Sequence, residues 1–462
     1  MNPYEDKLHE ECGVFGMYSI EGHSVAKDIY YGLIALQHRG QESAGIAVSD
    51  TDGSMGNIAI KKGMGLVSEV FTKADLSYLY GNIGVGHVRY STTGGSSIEN
   101  AQPIAMNYIK GSLALVHNGN IMNADELKEK QLHRGQAHYT SSDSEVLAYE
   151  VISERIKTGS IEDAVKKASL KLKGGYACLI MSPRKLIGIR DPYGLKPLVL
   201  GKRQNTYILA SESAAIKTVG GELIRDIEPG EIVTVTEDGV LSDHIPGAEK
   251  CAHCIFEYIY FARVDSVIDG ISVHDSRIKA GRALARRYKV EADVVIGVPD
   301  SGLAAAEGYA LESGIPFALG FHKNSYVGRS FIKPTDEERK NAVHMKLAIM
   351  ENVVKGKRVV LIDDSIVRGT TMRQIVEMLR NAGATEVHVR VSSPPFLYPC
   401  FYGTDVPSSG QLIASEHSTE EVCQTIGADT LGYFDLKDIS SMVDGLPVCA
   451  ACFNNKYPVR RK

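Results

Sequence analysis

The sequence lacks the features of a membrane protein and of a nucleic-acid-binding protein. Its longest uncharged apolar runs, such as residues 177–181 and 359–362, fall far below the roughly 18 residues that span a bilayer. With 51 Lys and Arg against 56 Asp and Glu, the net charge of -5 gives no basic excess for binding nucleic acid. We therefore expect neither a membrane nor a nucleic acid as a partner.

Cysteines are also few, and no secretory signal is visible. Eight cysteines are too few for a disulfide scaffold of this length, and the acidic first residues, MNPYEDKLHEEC, lack the apolar core of a signal peptide. We expect a cytoplasmic protein whose cysteines serve as thiols, metal ligands or cluster ligands.

What is present indicates a globular chain with more than one core. Hydrophobic residues make up 44% and charged residues 23% of the sequence. At roughly 150 residues per domain, 462 residues predict two or three domains. The polar stretch 242–250 contains Pro246 and Gly247 and suits a boundary. We place one domain at residues 12–245 and a second at residues 246–462.

The two halves differ in the order of their predicted strands and helices. In the first half, strand-like runs at residues 83–89 and 176–181 alternate with helical patterns such as residues 144–157, which predicts sheets with helices outside. In the second half, an apolar strand at 358–364 is followed by a helix over 370–382 and another strand. This βαβ order predicts a parallel sheet, in which ligands bind beyond the carboxyl ends of the strands.

One such strand end carries two acids followed by a Gly-Thr-Thr helix start. Asp363 and Asp364 can hold a ribose diol or a hydrated divalent cation. Gly369, Thr370 and Thr371 offer backbone N–H groups and hydroxyls, which favour a 5′-phosphate. An acidic turn with a Thr cap is the structural alternative.

Three segments of the second half resemble the type I phosphoribosyltransferases. Residues 360–371 resemble the loop that binds phosphoribosylpyrophosphate (PRPP), residues 297–302 the pyrophosphate loop, and residues 323–331 the flexible catalytic loop. The PRPP contacts that this resemblance implies are Asp300, Ser301, Lys323, Arg329, Asp363, Asp364, Ser365, Arg368, Gly369, Thr370 and Thr371. It further implies one Mg²⁺ per subunit, bound with PRPP at Ser301, Asp363 and Asp364.

The first half carries a set of motifs around an early cysteine. Cys12 is followed by LQHRGQESAG at 36–45, GHVRYSTTG at 86–94, VHNGNI at 116–121 and TSSDSE at 140–145. The set resembles the N-terminal-nucleophile (Ntn) glutamine amidotransferases. The fold class implied is α/β (α+β overall), with an Ntn-hydrolase αββα sandwich preceding a type I phosphoribosyltransferase parallel-sheet domain.

The resemblance makes Cys12 the catalytic nucleophile. A thiolate is the reactive form of cysteine, and the amine of Cys12 can act as its base only if residues 1–11 are removed. The resemblance implies that these residues form a propeptide, cleaved by the chain itself. It also implies an oxyanion hole made of the Asn118 side chain and the Gly119 N–H. A small buried thiol is the alternative for Cys12.

Four further residues are implied for binding glutamine. Arg89 would grip the α-carboxylate as a bidentate fork, and Asp143 would pair with the α-ammonium. Arg39 and Gly40 would belong to a loop that closes over bound glutamine.

Together, from about Cys12 to Tyr457, the motifs resemble the amidophosphoribosyltransferase family. The implied reaction takes glutamine, water and PRPP to 5-phosphoribosylamine, glutamate and pyrophosphate, the first step of purine nucleotide synthesis. Feedback inhibition by purine nucleotides and a homotetramer are also implied. Two alternatives remain: a sugar-phosphate synthase, with sugar-isomerase domains after residue 245, and a PRPP-sensing transcriptional regulator.

The remaining cysteines allow two kinds of metal site. The pairs Cys251 with Cys254 and Cys449 with Cys452 suggest a structural zinc site, with His253 as an alternative ligand. One subclass of the family instead holds one [4Fe–4S] cluster per subunit. The ligands that this resemblance implies are Cys254, Cys400, Cys449 and Cys452. Its role is expected to be structural.

Overall fold

The structure is a computed structural model that describes residues 12–51, 57–90, 95–248, 251–324 and 347–459. The expected propeptide, residues 1–11, and Arg329 lie outside the described residues. Within the described ranges, no helix has the length and apolar character needed to cross a membrane.

In the described part of the first half, thirteen strands form two antiparallel sheets. The strands are β1 Gly13–Ser19, β2 Ser43–Ser49, β3 Ile58–Met64, β4 Ile83–Arg89, β5 Ile104–Tyr108, β6 Gly111–Ile121, β7 Gly174–Ser182, β8 Lys185–Arg190, β9 Val199–Arg203, β10 Thr206–Ala210, β11 Glu222–Asp226, β12 Glu231–Thr236 and β13 Gly239–His244. The first sheet has the order β11-β9-β10-β1-β4-β2-β3, and the second has the order β13-β12-β8-β7-β6-β5.

Helices cover the outer faces of both sheets, as the αββα prediction requires. The helices of this half are Ala26–Ala35, Val67–Val70, Lys73–Tyr78, Ala124–His133, Asp143–Lys157, Ile161–Ser169 and Ser213–Thr218, with a 3-10 turn at Ile98–Asn100. Apolar side chains such as Val14, Val85 and Val116 fill the space between the sheets. Alternation along each strand sends the neighbouring side chains, such as Phe15 and Leu115, outward to the helices.

The second half is built on a parallel sheet with the order β17-β20-β21-β22. Its strands and the short ladders beside them are β14 His253–Cys254, β15 Val267–Ile268, β16 Ile271–Ser272, β17 Val294–Gly297, β18 Phe321–Lys323, β19 Leu347–Ile349, β20 Arg358–Asp363, β21 Glu386–Val391, β22 Thr430–Tyr433 and β23 Val448–Cys449. The helices are Val273–Arg287, Gly302–Ser313, Glu351–Val354, Thr370–Asn381, Ile413–Glu416, Thr419–Ile426, Ile439–Met442 and Ala451–Asn454. A π-helical turn spans Glu257–Phe261, and 3-10 turns span Ser409–Gln411 and Leu436–Asp438.

Both faces of the parallel sheet are buried, which explains its nearly continuous apolar strands. Val360 and Ile362 face one core, whereas Val359 and Leu361 face the other. The predicted βαβ unit is confirmed, with β20, the helix Thr370–Asn381 and β21 in that order.

A buried histidine joins the two sheets of the first half. His87 on β4 is fully buried, and its Nε2 donates to the carbonyl oxygen of His117 on β6 at 3.0 Å. Burial lowers the pKa of His87 to about 3, because the charged ring would lose its hydration, and the nearby positive charge of Arg89 adds to this effect. His87 therefore stays neutral in the folded chain at neutral pH.

Acidification should consequently destabilise the fold through His87. Below pH 6.5 the unfolded chain takes up a proton that folded His87 excludes until about pH 3, so stability falls as the pH decreases through this window. Relative to His87→Gln, which keeps a neutral donor, the wild type should lose about 2 kcal/mol between pH 7 and pH 5. Thermal unfolding at both pH values measures this. The exposed-site variant His244→Gln should behave as wild type, and identical pH profiles for His87→Gln and wild type would contradict the assignment.

Candidate functional site

Cys12 lies directly before β1, in the middle of the first sheet. Strand β1 pairs with β10 on one side and β4 on the other, and Gly13 is opposite Val88. This register brings Cys12 beside the end of β4, where its Sγ donates to the carbonyl oxygen of Tyr90 at 3.5 Å. The thiol is largely buried, with 8% of the residue exposed.

Arg89 ends β4 at the same edge of the sheet. Its guanidinium is buried and lies 3.0 Å from the carboxylate of Glu42, the residue before β2. The backbone N–H of Glu42 in turn donates to the carbonyl oxygen of Arg89. Strand pairing thus places the predicted carboxylate-binding arginine next to the predicted nucleophile.

The predicted oxyanion hole lies on β6 of the second sheet. The His87–His117 bond brings this part of β6 against β4. Asn118 is fully buried, and neither polar atom of its side chain has a hydrogen-bond partner among the described residues. Gly119 adopts φ +130°, and a Cβ there would lie 2.0 Å from the carbonyl oxygen of Gly175. A buried amide without a partner is costly and is suited to receiving a ligand.

Asp143 begins the helix Asp143–Lys157 behind the same strand. Its carboxylate accepts from the N–H of Ile121 at 2.9 Å and lies 3.6 Å from Nδ1 of His117. Burial opposes ionisation, but attraction to His117 and backbone N–H donors outweigh it, so the pKa of Asp143 lies below its usual value. The anion needed to bind an ammonium group is therefore favoured.

Arg39, predicted to belong to a loop that closes over glutamine, is held by two carboxylates in this structure. Its side chain is fully buried, and Nη1 and Nη2 both donate to the Glu257 carboxylate, at 3.0 and 2.6 Å. Nη1 also contacts Glu212 at 2.6 Å, and Nε donates to the carbonyl oxygen of Cys12 at 3.3 Å. The guanidinium is therefore shared by two carboxylates and holds the backbone of Cys12. That Arg39 belongs to a closing loop stays a prediction.

Gly40 is buried beside it, packed on strand β4. A Cβ on Gly40 would lie within 2.7 Å of the Arg89 backbone. That Gly40 belongs to a closing loop stays a prediction.

Glu212 and Glu257, which hold Arg39 beside Cys12, were not revealed by the sequence. Glu212 also accepts from His38 and from the Ser266 hydroxyl, both at 2.7 Å. Burial opposes its charge, yet His38 and Arg39 hold the pKa of Glu212 well below its usual range. The sequence carries only an indirect signal for these two residues. A buried arginine needs carboxylate partners, and these partners come from segments far away along the chain.

Of the predicted PRPP residues, Ser301, Asp363, Asp364 and Ser365 meet at the carboxyl end of β20. Asp363 ends this strand, and the N–H of Asp364 donates to its carboxylate at 2.9 Å. The Asp364 carboxylate accepts from the hydroxyls of Ser301 and Ser365, the latter at 2.6 Å. Gly302 lets the two loops approach, since a Cβ there would lie 2.6 Å from the carbonyl oxygen of Ile362.

The helix start beside these acids matches the predicted phosphate position. Gly369 has φ +83° and precedes the helix that begins with Thr370 and Thr371. Arg368 donates to the Gln411 side chain at 2.8 Å. Lys323 forms an ion pair with Asp300 across the two loops.

The oxygen donors of this site suit magnesium. Asp363, Asp364 and Ser301 are all buried, and their carboxylate and hydroxyl oxygens are the hard ligands that Mg²⁺ prefers. Two buried carboxylates next to each other also favour a bound cation because it offsets their mutual repulsion.

Four of the cysteines line one cavity in the second half. The strands β14 and β23 pair in parallel and set Cys254 opposite Cys449. Burial raises the pKa of the Cys452 thiol, and the neighbouring thiols of Cys400, Cys254 and Cys449 raise it further. The cysteines lining the cavity are Cys254, Cys400, Cys449 and Cys452.

These four cysteines are the set predicted for an iron–sulfur cluster. They are not the two closely spaced pairs that suggested a zinc site. Cys251 is exposed and does not line the cavity. Burial also raises the pKa of the Cys449 thiol to about 12, so this thiol stays protonated at neutral pH unless a bound cation stabilises its thiolate. The donor set, four thiols that line one mostly apolar cavity, fits an iron–sulfur cluster.

Comparisons with known proteins agree with this two-part organisation. A model of the glutamine amidotransferase domain matches residues 87–218, and a model of the phosphoribosyl transferase domain matches residues 272–393. The second match lies where a sugar-phosphate synthase would have sugar-isomerase domains, so that alternative is wrong. The relatives that match nearly the whole chain are named as enzymes, which disfavours the alternative of a transcriptional regulator.

The similarity extends along nearly the whole chain. An amidophosphoribosyltransferase of Bacillus subtilis (strain 168) is 49% identical over 459 residues, covering 98% of this chain and 94% of the relative. One of Methanocaldococcus jannaschii is 46% identical over 462 residues, with 97% of each chain covered. A solved structure of glutamine PRPP amidotransferase from B. subtilis, complexed with ADP and GMP, gives a TM-score of 0.89 at 46% identity and covers 97% of this chain and 98% of that one. With such relatives over both halves, the chain belongs to the amidophosphoribosyltransferase family.

Proposed function

We propose that this chain hydrolyses glutamine at Cys12 and transfers the ammonia to C1 of PRPP. The observation that carries the assignment is Asn118, a fully buried amide with an unpartnered side chain on the strand facing the Cys12 edge. An amide donor and the N–H of Gly119 can together stabilise the oxyanion of an acyl-transfer intermediate.

In the first half-reaction the Cys12 thiolate attacks the side-chain carbonyl carbon of glutamine. The carbonyl oxygen becomes an oxyanion bound by Asn118 and Gly119, and the carbon–nitrogen bond breaks to give a thioester and ammonia. Water then attacks the thioester and releases glutamate. Removal of residues 1–11 would free the amine of Cys12, which takes the thiol proton and delivers it to the leaving nitrogen.

Arg89 and Asp143 would fix glutamine by its two charged ends. Arg89 reaches the site from β4 and pairs with the α-carboxylate, while the ionised Asp143 pairs with the α-ammonium. Arg39 does not touch substrate in this proposal. It positions the Cys12 backbone through the carbonyl contact.

In the second half-reaction ammonia attacks C1 of PRPP and pyrophosphate leaves. Asp363 and Asp364 would bind the ribose hydroxyls, and the start of the helix at Thr370 the 5′-phosphate. Lys323 and Arg329 would neutralise charge on the departing pyrophosphate. Mg²⁺, held at Ser301, Asp363 and Asp364, would supply further positive charge to the diphosphate when bound.

We further propose a [4Fe–4S] cluster at the four cavity cysteines, where it would tie β14, β23 and residue 400 together without taking part in the reaction.

The named B. subtilis structure contains ADP and GMP, which supports regulation of this chain by purine nucleotides. The family resemblance supports a homotetramer and a cytoplasmic location.

Replacing the nucleophile should separate the two half-reactions. Cys12→Ala should abolish glutamate release from glutamine, by at least about 10³-fold, because no thioester can form. Transfer to PRPP from added ammonia should remain within about twofold, since the second site is untouched. Cys178→Ala, which removes a buried thiol of the same half, is the control and should retain glutaminase activity. Glutamate release that survives in Cys12→Ala would refute the nucleophile assignment.

Replacing an acid of the PRPP loop should give the complementary result. Asp364→Asn keeps the shape but loses a charge at the ribose and metal site, so transfer from both glutamine and ammonia should fall about 10²-fold or more. Glutamine hydrolysis without PRPP should persist. The measurement is product formation with each nitrogen donor, and an unchanged ammonia-dependent rate would contradict the site.

The cluster assignment predicts which cysteine controls iron. Anaerobically purified protein should contain about four iron and four sulfide per chain. Cys400→Ser should lose most of both, whereas Cys251→Ser should retain them, because Cys251 lies outside the cavity. Zinc in place of iron in the wild type would favour a zinc site instead, and intact mass on the same sample tests removal of residues 1–11.

A further inference from the structure

A turn of the second half lies directly on the predicted oxyanion strand of the first half. Gly403 has φ +102°, and a Cβ there would lie 2.9 Å from the carbonyl carbon and 3.0 Å from the Cα of Gly119. The two glycines are therefore in backbone-to-backbone contact. Gly119 itself adopts φ +130°, a region open almost only to glycine, within the part of β6 that pairs with β7. The turn at Gly403 adds a second contact to this unusual backbone position.

The contact continues on both sides of Gly403. Nδ2 of Asn120, the residue after Gly119, donates to the carbonyl oxygen of Phe401 at 2.9 Å. Tyr402 packs on Gly175, which is opposite Asn120 in the sheet, since a Cβ on Gly175 would lie 3.1 Å from Cβ of Tyr402. Three consecutive residues of the turn thus contact β6 or its neighbour β7.

The turn is anchored at its other side to the cysteine cavity. The backbone N–H of Tyr402 donates to Sγ of Cys400 at 3.4 Å, and Cys400 and Tyr402 both line the cavity. The Tyr402 hydroxyl donates to the carbonyl oxygen of Val459 at 2.9 Å and accepts from its N–H at 3.0 Å. The turn is consequently held by hydrogen bonds within the second half while it contacts the first half.

We propose that residues 400–403 are a positioning element of the glutaminase site, with Gly403 as the residue that fixes the backbone of Gly119. The turn keeps the N–H of Gly119 aimed at the position of the oxyanion, so that the cysteine-bearing segment of one half completes the catalytic geometry of the other. This inference rests on the proposed function, in which Gly119 supplies an oxyanion donor. Gly403 touches no substrate.

Gly403→Ala tests the inference, with Gly445→Ala as its matched control. Both glycines have positive φ, at +102° and +83°, but Gly445 has no atom near a new Cβ whereas Gly403 meets Gly119. In Gly403→Ala the kcat of glutamine hydrolysis should fall roughly ten- to hundredfold, since small displacements of an oxyanion donor are costly. The KM for glutamine and the alkylation rate of Cys12 by iodoacetamide should stay within about twofold, because neither depends on the oxyanion. Ammonia-dependent transfer should match the control.

Asn120→Asp provides a second route if Gly403→Ala does not fold. It replaces the donor to the Phe401 carbonyl with an acceptor, which separates strand and turn without adding bulk. The same kcat loss is expected. The inference is overturned if hydrolysis stays at the control level, or if hydrolysis, alkylation and ammonia-dependent transfer decline in proportion. Failure of the proposed function is recognised separately, as glutamate release that persists in Cys12→Ala.

Discussion

The position of Cys12, the proposed nucleophile, depends on one buried arginine. Arg39 bonds the carbonyl oxygen of Cys12 and is held by Glu212 from its own half and Glu257 from the other. Removing one partner of a buried pair generally costs about 3–5 kcal/mol, because the other charge is left unpaired away from water. The position of Cys12 is therefore a property of both halves, although the thiol, Arg89 and Asn118 all belong to the first.

The carboxylate of Glu212 extends this junction. It accepts from the backbone N–H of Arg263 and the hydroxyl of Ser266, both in the second half, while also binding His38 and Arg39. With this many donors a buried carboxylate stays ionised, which in turn keeps the arginine bridge charged. Together with the Gly403 contact on Gly119, the second half supports the proposed glutaminase site on two sides, at Cys12 and at the part of β6 that carries Gly119.

A feature could be predicted from the sequence when the residues that form it lie close together along the chain. The βαβ unit and the acids at its strand end were predictable, because the apolar run at 358–363, the two acids and the Gly369 helix start are contiguous. The roles of Arg39 and Gly403 were not, since their partners lie far away along the chain and their environment depends on how the halves pack. Spacing alone paired Cys251 with Cys254. Identifying Cys400 as the fourth cavity cysteine in place of Cys251 therefore required the family resemblance.

A second buried arginine fixes the turn that carries Glu257. Arg277, on the helix Val273–Arg287, donates from Nε to the carbonyl oxygen of Tyr258 at 2.9 Å and from Nη2 to those of Tyr260 and Ala262 at 3.0 and 2.8 Å. Burial lowers its pKa to about 10, only partly offset by the charges of Asp364, Glu212 and Glu257. The group is still charged at neutral pH, so it keeps binding these carbonyls and fixes the π-helical turn that carries Glu257. A rigid turn holds that carboxylate in place, and Glu257 in turn holds Arg39 and the backbone of Cys12.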